Sequence, residues 1–294
     1  MLAVTFITQL LNGLSLGSIY ALVALGYTMV YGIILLLNFA HGDIIMVGGY
    51  IAWIAMSVLG LPPAVAAILS VLGCMLLGVV IDKIAYAPLR DAPRLSILIT
   101  AIGVSYFLEN GGQLVFGAAA KVVPSFGDFG SVNLGDASLS GRAILTVLVT
   151  AAATAILTFL VQKTKLGKAM RAVSEDMGAA RLMGINVNHT ISFTFAVGSA
   201  LAGIGSVLYC MAYTQVTPTM GIMLGTKAFV AAVLGGIGSI PGAVIGGLIV
   251  GFAEVFVSAI GLSVWQDAVV FLLLIIVLIF KPTGLLGRPM TEKV

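Results

Sequence analysis

Apolar residues run along this chain in blocks about one membrane span long, separated by short polar connections and without alternation. Residues 62–81, 95–116, 143–162 and 190–213 each approach the roughly 20 residues that a helix needs to cross a hydrocarbon core. Segment 265–280, which contains FLLLIIVLIF at Phe271–Phe280, does the same. Barrel strands would alternate polar and apolar positions, so the pattern predicts helices. Residues 44–60 pair with 62–81 as a hairpin, with Pro62-Pro63 in its turn. Two stretches fit less simply. Residues 5–37 are too long for one span and too short for two, and they lead into the polar interruption Asn38-Phe39-Ala40-His41-Gly42-Asp43. Residues 228–280 fall short of three crossings and are broken by GGIGSIPG (Gly235–Gly242), which predicts that 228–262 enters partway and returns before a last crossing at 265–280. Interrupted segments in both halves of a membrane protein point to a transport pathway, because irregular backbone at membrane depth must be buried or line a watery cavity. The expected fold is all-α and polytopic, with about eight membrane segments including broken or re-entrant helices, in one transmembrane domain spanning 1–294.

Composition excludes a water-soluble alternative. Of 294 residues, 60% are hydrophobic and 9% charged, against roughly 45–50% and about 25% in soluble domains. The placement of charge gives orientation. Lys83, Arg90 and Arg94 fall in 82–94; Lys163, Lys165, Lys168, Arg171 and Arg181 fall in 163–189; Lys281, Arg288 and Lys293 fall in the C-terminal tail. Loops rich in Lys and Arg stay in the cytoplasm. That puts these three stretches inside, and 117–142 and 214–227, with Lys121, Arg142 and Lys227, outside. No Lys or Arg precedes Lys83, so the side of the N-terminus stays open. The N-terminus lacks the basic region of a cleaved signal peptide and reads as the start of the first membrane segment. Cys74 and Cys210 lie in apolar runs and read as buried thiols.

Several residues carry candidate chemistry. Carboxylates inside membrane segments are costly and mark functional sites by default. Asn38, His41 and Asp43 occupy the first interruption, and Asp43 reads equally as a pathway residue or a helix N-cap. Glu109 and Glu254 sit within apolar runs, where each either meets a substrate ammonium or pairs with a polar neighbour. Asp267 beside Trp265 reads as an interfacial residue. The pairs Gly13/Gly17, Gly242/Gly246 and Gly247/Gly251 have the small-xxx-small spacing that lets membrane helices approach closely. Two histidines without an HExxH or a Cys/His cluster give no metal site, and there is no GxxxxGK[ST] loop for ATP. No cofactor and no nucleic-acid partner is expected. In the basic stretch 163–189, Met170, Val173, Met177, Ala180 and Met183 recur at helical spacing. This predicts an amphipathic helix over 168–183, closed by Gly184, whose apolar stripe docks on a partner.

The run from Gly167 to Asn186 resembles the EAA-type coupling loop of bacterial ABC importer permeases, in the version found in branched-chain amino acid permeases of the LivH type. LNGLSLGSIYALVALGYTMVYGIILLLNFAHGD and VLGGIGSIPGAVIGGLIVG resemble that family too, so the similarity covers essentially the whole chain. Matched to the loop pattern, Glu175 with Asp176, Ala179 with Ala180, and Gly184 take the acidic, small and glycine positions. The Leu-Pro ending of the EAA loop is absent here, as in this subfamily. The resemblance implies a permease of the bacterial inner membrane that translocates branched-chain amino acids. It further implies a second, homologous permease subunit, two cytoplasmic ATPase subunits that hydrolyse the ATP, an extracytoplasmic amino-acid-binding protein and surrounding lipid. The external segment 117–142 is a candidate face for the binding protein. The alternatives are a related permease for urea, short amides or other amino acids, and a self-contained channel or carrier.

Overall fold

A computed structural model describes residues 2–34, 38–90, 92–134 and 137–287. Arg288 and Lys293, expected in a cytoplasmic tail, lie outside the described residues. Among the described residues, eight helices are long and apolar enough to cross a membrane. Chain order gives α1 (Leu2–Ile34), α2 (His41–Trp53), α3 (Pro63–Ile81), α4 (Arg94–Phe116) and α5 (Gly141–Lys163). Then come the short α6 (Lys165–Glu175) and α7 (Met177–Leu182), followed by α8 (Val187–Tyr213), α9 (Met220–Gly235), α10 (Ile240–Ala259) and α11 (Gln266–Phe280). A π-helical turn, Ile54–Val58, extends α2, and another, Asp82–Tyr86, extends α3. Pro62 precedes α3 with an extended backbone and Pro63 starts it, so the expected α2–α3 hairpin turn is present.

Two strand pairs join the loops. β1 (Lys121–Val122) lies antiparallel to β4 (Gln215–Val216), and β2 (Ser131–Leu134) to β3 (Ala137–Ser140).

Close helix approach organises the packing. α1 runs antiparallel to α10: Gly13 faces Phe252, Gly17 faces Leu248, and Ala21 faces Gly247. A methyl on Gly17 would come within 2.8 Å of the Leu248 Cα, so the small-xxx-small spacing is used for backbone contact. α3 and α8 form a matching antiparallel seam, with Gly203 against Val71 and Gly78 against Ser199. The remaining contacts follow the same correspondence, α1 with α9 as α8 with α2, and α10 with α9 as α3 with α2. The second half therefore repeats the packing of the first with helix directions reversed, the arrangement of inverted-topology transporter repeats.

One boundary is corrected, that of α9. α1 is a single helix from Leu2 to Ile34, 33 residues and about 50 Å long, which accounts for the excess length before Asn38. Within 228–262 the chain turns at the expected GGIGSIPG break: α9 ends at Gly235, Gly236 (φ +105°) and Gly238 (φ +90°) carry the turn, and α10 returns with Gly246 against Ala231. α9 starts at Met220, inside the stretch expected as an external connection, and α10 alone has the length of a crossing. The chain fits three helices here because Lys227, which sequence arithmetic assigned to solvent, is absorbed inside the fold by two carboxylates. Irregular backbone also precedes α2, at the expected interruption beginning with Asn38, and separates α8 from α9. There the first turns of α2 and α9 cross, with Gly42 against Gly221 and Gly225.

Candidate functional site

The segment that sequence predicts to couple, hereafter the coupling segment, forms two short helices, α6 and α7. Thr164 caps α6 by accepting from the Gly167 amide at 3.0 Å. Gly167 lies so close to the Leu160 and Val161 carbonyls that no side chain fits there. Arg171 donates to the Val161 carbonyl. At Asp176 the backbone turns extended (φ −158°, ψ 112°), and its carboxylate accepts from the Ala179 amide at 2.9 Å to start α7. The expected single helix over 168–183 is thus split by its own capping aspartate. Gly184, with φ +79°, ends α7 in the left-handed conformation that favours glycine.

This fold reassigns the apolar stripe. Met170, Val173 and Ala180 are buried, and α6 packs on α1, α5 and α8 of the same chain. The exposed surface contains Glu175, Asp176, Ala179 and Gly184, together with Leu182 (91% exposed) and Met183 (82%). Of the five expected coupling residues only Ala180 is buried. Leu182 was missed, although an exposed leucine before a glycine cap is visible in the sequence.

The loop continues into a polar clamp. Asn186 accepts from the His189 amide at 3.0 Å and so caps α8. Asn188 accepts from Arg90. Arg90 in turn grips both Asp82 oxygens at 2.6 and 2.8 Å, and Ser192 donates to the same carboxylate. Asp82 is fully buried, so the bidentate pair supplies its neutralising charge. The clamp joins the start of α8 to the end of α3 and was not singled out from sequence. Two opposite charges eight positions apart flanking an apolar run were its only signal.

At membrane depth the candidates separate into three places. Asn38 accepts from the Tyr86 hydroxyl at 2.7 Å, and its amide nitrogen has no partner among the described residues. His41 begins α2, edge-on to Tyr27 with ring centroids 4.6 Å apart, and its Nε2 is likewise buried without a partner. Asp43 is not the cap, a position held by Ala40, but lies in the first turn, where the helix dipole favours a carboxylate. One of its oxygens accepts from Ser105 on α4, and the other has no partner among the described residues. Glu109, half-buried, sits one turn beyond Ser105 on the same helix.

Glu254 belongs elsewhere. It accepts from the Tyr20 hydroxyl and from Lys227, each at 2.6 Å, and Lys227 reaches Asp267 at 2.8 Å. Asp267 therefore holds a lysine rather than standing alone at the interface. One lysine on α9 ties α10 and α11 together, and Tyr20 adds α1. Cys74 and Cys210 are buried free thiols, as expected.

The sequence matches the family described as the branched-chain amino acid transport system / permease component over residues 9–278. It is 45% identical to the high-affinity branched-chain amino acid transport system permease protein BraD of Pseudomonas aeruginosa, with 98% of each chain covered. The LivH permease proteins of Salmonella typhimurium and Escherichia coli K12 are 44% and 42% identical, again over 98% of each chain. The chain belongs to this permease family. The matched region runs from the first turns of α1 almost to the end of α11, so the coupling segment, the clamp and the buried polar groups all lie within the permease fold. A permease of this kind is a multi-pass membrane transport component.

Proposed function

We propose that this chain is the gating subunit of an ATP-driven importer that carries branched-chain amino acids across a bacterial inner membrane. The carrying observation is the coupling segment, anchored to the helix bundle through Met170, Val173 and Ala180 while presenting Glu175, Ala179, Leu182 and Met183 to the cytoplasm. Two cytoplasmic ATPase subunits engage that surface and hydrolyse the ATP, and a second homologous permease subunit completes the membrane pair. Movement of α7 passes through Gly184 to the Asn186 cap of α8. The Asn188–Arg90–Asp82–Ser192 clamp carries it on to α3. An extracytoplasmic binding protein delivers the amino acid to the opposite face, where 117–142 contributes the β2–β3 pair and the β1 strand that pairs with β4. The amino acid passes where α2 and α9 begin, near the buried polar groups of Asn38, His41 and Asp43.

The close relatives named for branched-chain amino acid transport favour that substrate over urea or short amides. The test is ATP-driven uptake of labelled leucine, isoleucine and valine by vesicles carrying the reconstituted subunits. Uptake should need every partner, and uptake by this chain alone would overturn the proposal in favour of a self-contained carrier.

A further inference from the structure

Two adjoining hollows lie beside the clamp at the basic end of the bundle, and the transport reading assigns them no ligand. The larger, about 470 Å³, lies between the last turns of α3 and the first turns of α8. Lys83, Arg90 and His189 stand on its polar side, and Val79, Phe193 and Ala196 on its apolar side. The smaller, about 320 Å³, shares Asn186 and Asn188 with it and adds Arg181.

Charge is unevenly settled there. Arg90 is neutralised by Asp82, yet its Nε is buried without a partner, and Lys83 and Arg181 make no ion pair among the described residues. Two uncompensated cations beside an imidazole and two carboxamides complement an anion rich in acceptors, such as a phosphate. The surroundings select the kind of phosphate. Val80 and Ile84, beside Lys83, are 40% and 73% exposed, so the apolar side of the hollow continues onto a helix face turned outward to lipid. A soluble anion gains nothing from that face, whereas an acyl chain covers it.

We propose that this groove binds an anionic phospholipid, with the phosphate at Lys83, Arg181 and His189 and the acyl chain along Val79, Phe193 and the outer face of α3. Basic pockets between membrane helices on the cytoplasmic side suit such headgroups. Because the smaller hollow touches Arg181 and Gly184 of the coupling segment, a bound lipid braces that segment from the membrane side.

The experiment uses the complete transporter, purified with its partner subunits and incorporated into nanodiscs of phosphatidylglycerol mixed with phosphatidylcholine. Retained lipid is then counted by native mass spectrometry after transfer to detergent. Lys83 and Arg181 are exposed, so Lys83→Gln/Arg181→Gln should fold normally, which an unchanged melting midpoint verifies. The wild type should retain phosphatidylglycerol, and each charge removed should lower retention about 5-fold. Phosphatidylcholine should not be held, and excess glycerol phosphate should not displace the lipid. Equal retention by wild type and variant, including none by either, overturns the proposal. So does equal retention of phosphatidylcholine, or displacement by glycerol phosphate, which would make the site one for soluble anions. None of these readouts depends on which solute is transported.

Discussion

Lys227 and Glu254 meet at 2.6 Å with side chains only 12% and 9% exposed, although they lie on different helices, α9 and α10. A buried pair adds little over a well-packed apolar one, but removing one partner strands the other charge at a cost of about 3–5 kcal/mol. Lys227→Met should therefore lower the melting midpoint of the purified chain sharply, while Lys227→Met/Glu254→Gln should recover most of the loss. A double variant no more stable than Lys227→Met would show that Glu254 does not need its lysine.

The clamp at the basic end makes a similar prediction with a functional readout. Asp82→Asn leaves Arg90 without the carboxylate that it holds with two nitrogen–oxygen contacts. Loss of about 3 kcal/mol of stability is expected. Uptake should fall further than the amount of folded protein does, because α7 would no longer pull on α3. Uptake that merely tracks protein level would reduce the clamp to a structural role.

Leu182 is the cleanest probe of the coupling surface. At 91% exposed it supports nothing inside this chain, so Leu182→Asp should leave the melting midpoint unchanged within about 0.5 kcal/mol. Co-purification of the ATPase subunits should drop at least about tenfold, the scale of an interface residue worth ~1.4 kcal/mol. Unimpaired co-purification with normal uptake would remove Leu182 from the docking surface.

Glycines divide into two groups by what a side chain would meet. Gly221→Val should abolish folded protein, since its added carbons overlap the Gly42 backbone. Gly103→Ala on α4 meets nothing within 4 Å and replaces a poor helix former with the best, so it should be neutral or slightly stabilising. Fluorescence-detected gel filtration of the two variants makes the comparison. A monodisperse Gly221→Val peak would mean that the crossing of α2 and α9 is looser than described.

Legibility from sequence followed the kind of interaction. Helices α3, α4, α5 and α8 could be read because each is a mainly apolar run of about one span, with Pro62-Pro63 or basic residues marking ends. The extent of α9 could not, since Lys227 taken singly belongs in water and only its two partners, 27 and 40 positions away, make burial tolerable. A lone cation in one apolar stretch and a lone anion in another were the available signal. Gly184 ends α7 in the left-handed conformation, as its position after the helical run predicts. The split at Asp176 was missed because helical periodicity continues across it, and only the cap to Ala179 reveals a new start. The same split turned Met170 and Val173 inward, so the apolar stripe that suggested a partner is mostly filled by this chain's own helices.

The glycine seams described above have a mechanical meaning. α1 with α10, and α3 with α8, approach backbone to backbone at Gly17, Gly247, Gly251 and Gly203, so each pair should move as one beam. Between the beams, α2 and α9 cross at Gly42, Gly221 and Gly225, a point with no side chains to unlock. In the proposed transport cycle this layout would act as a scissor, two stiff blades and a smooth pivot, in which a pull at one end spreads the other without repacking either blade.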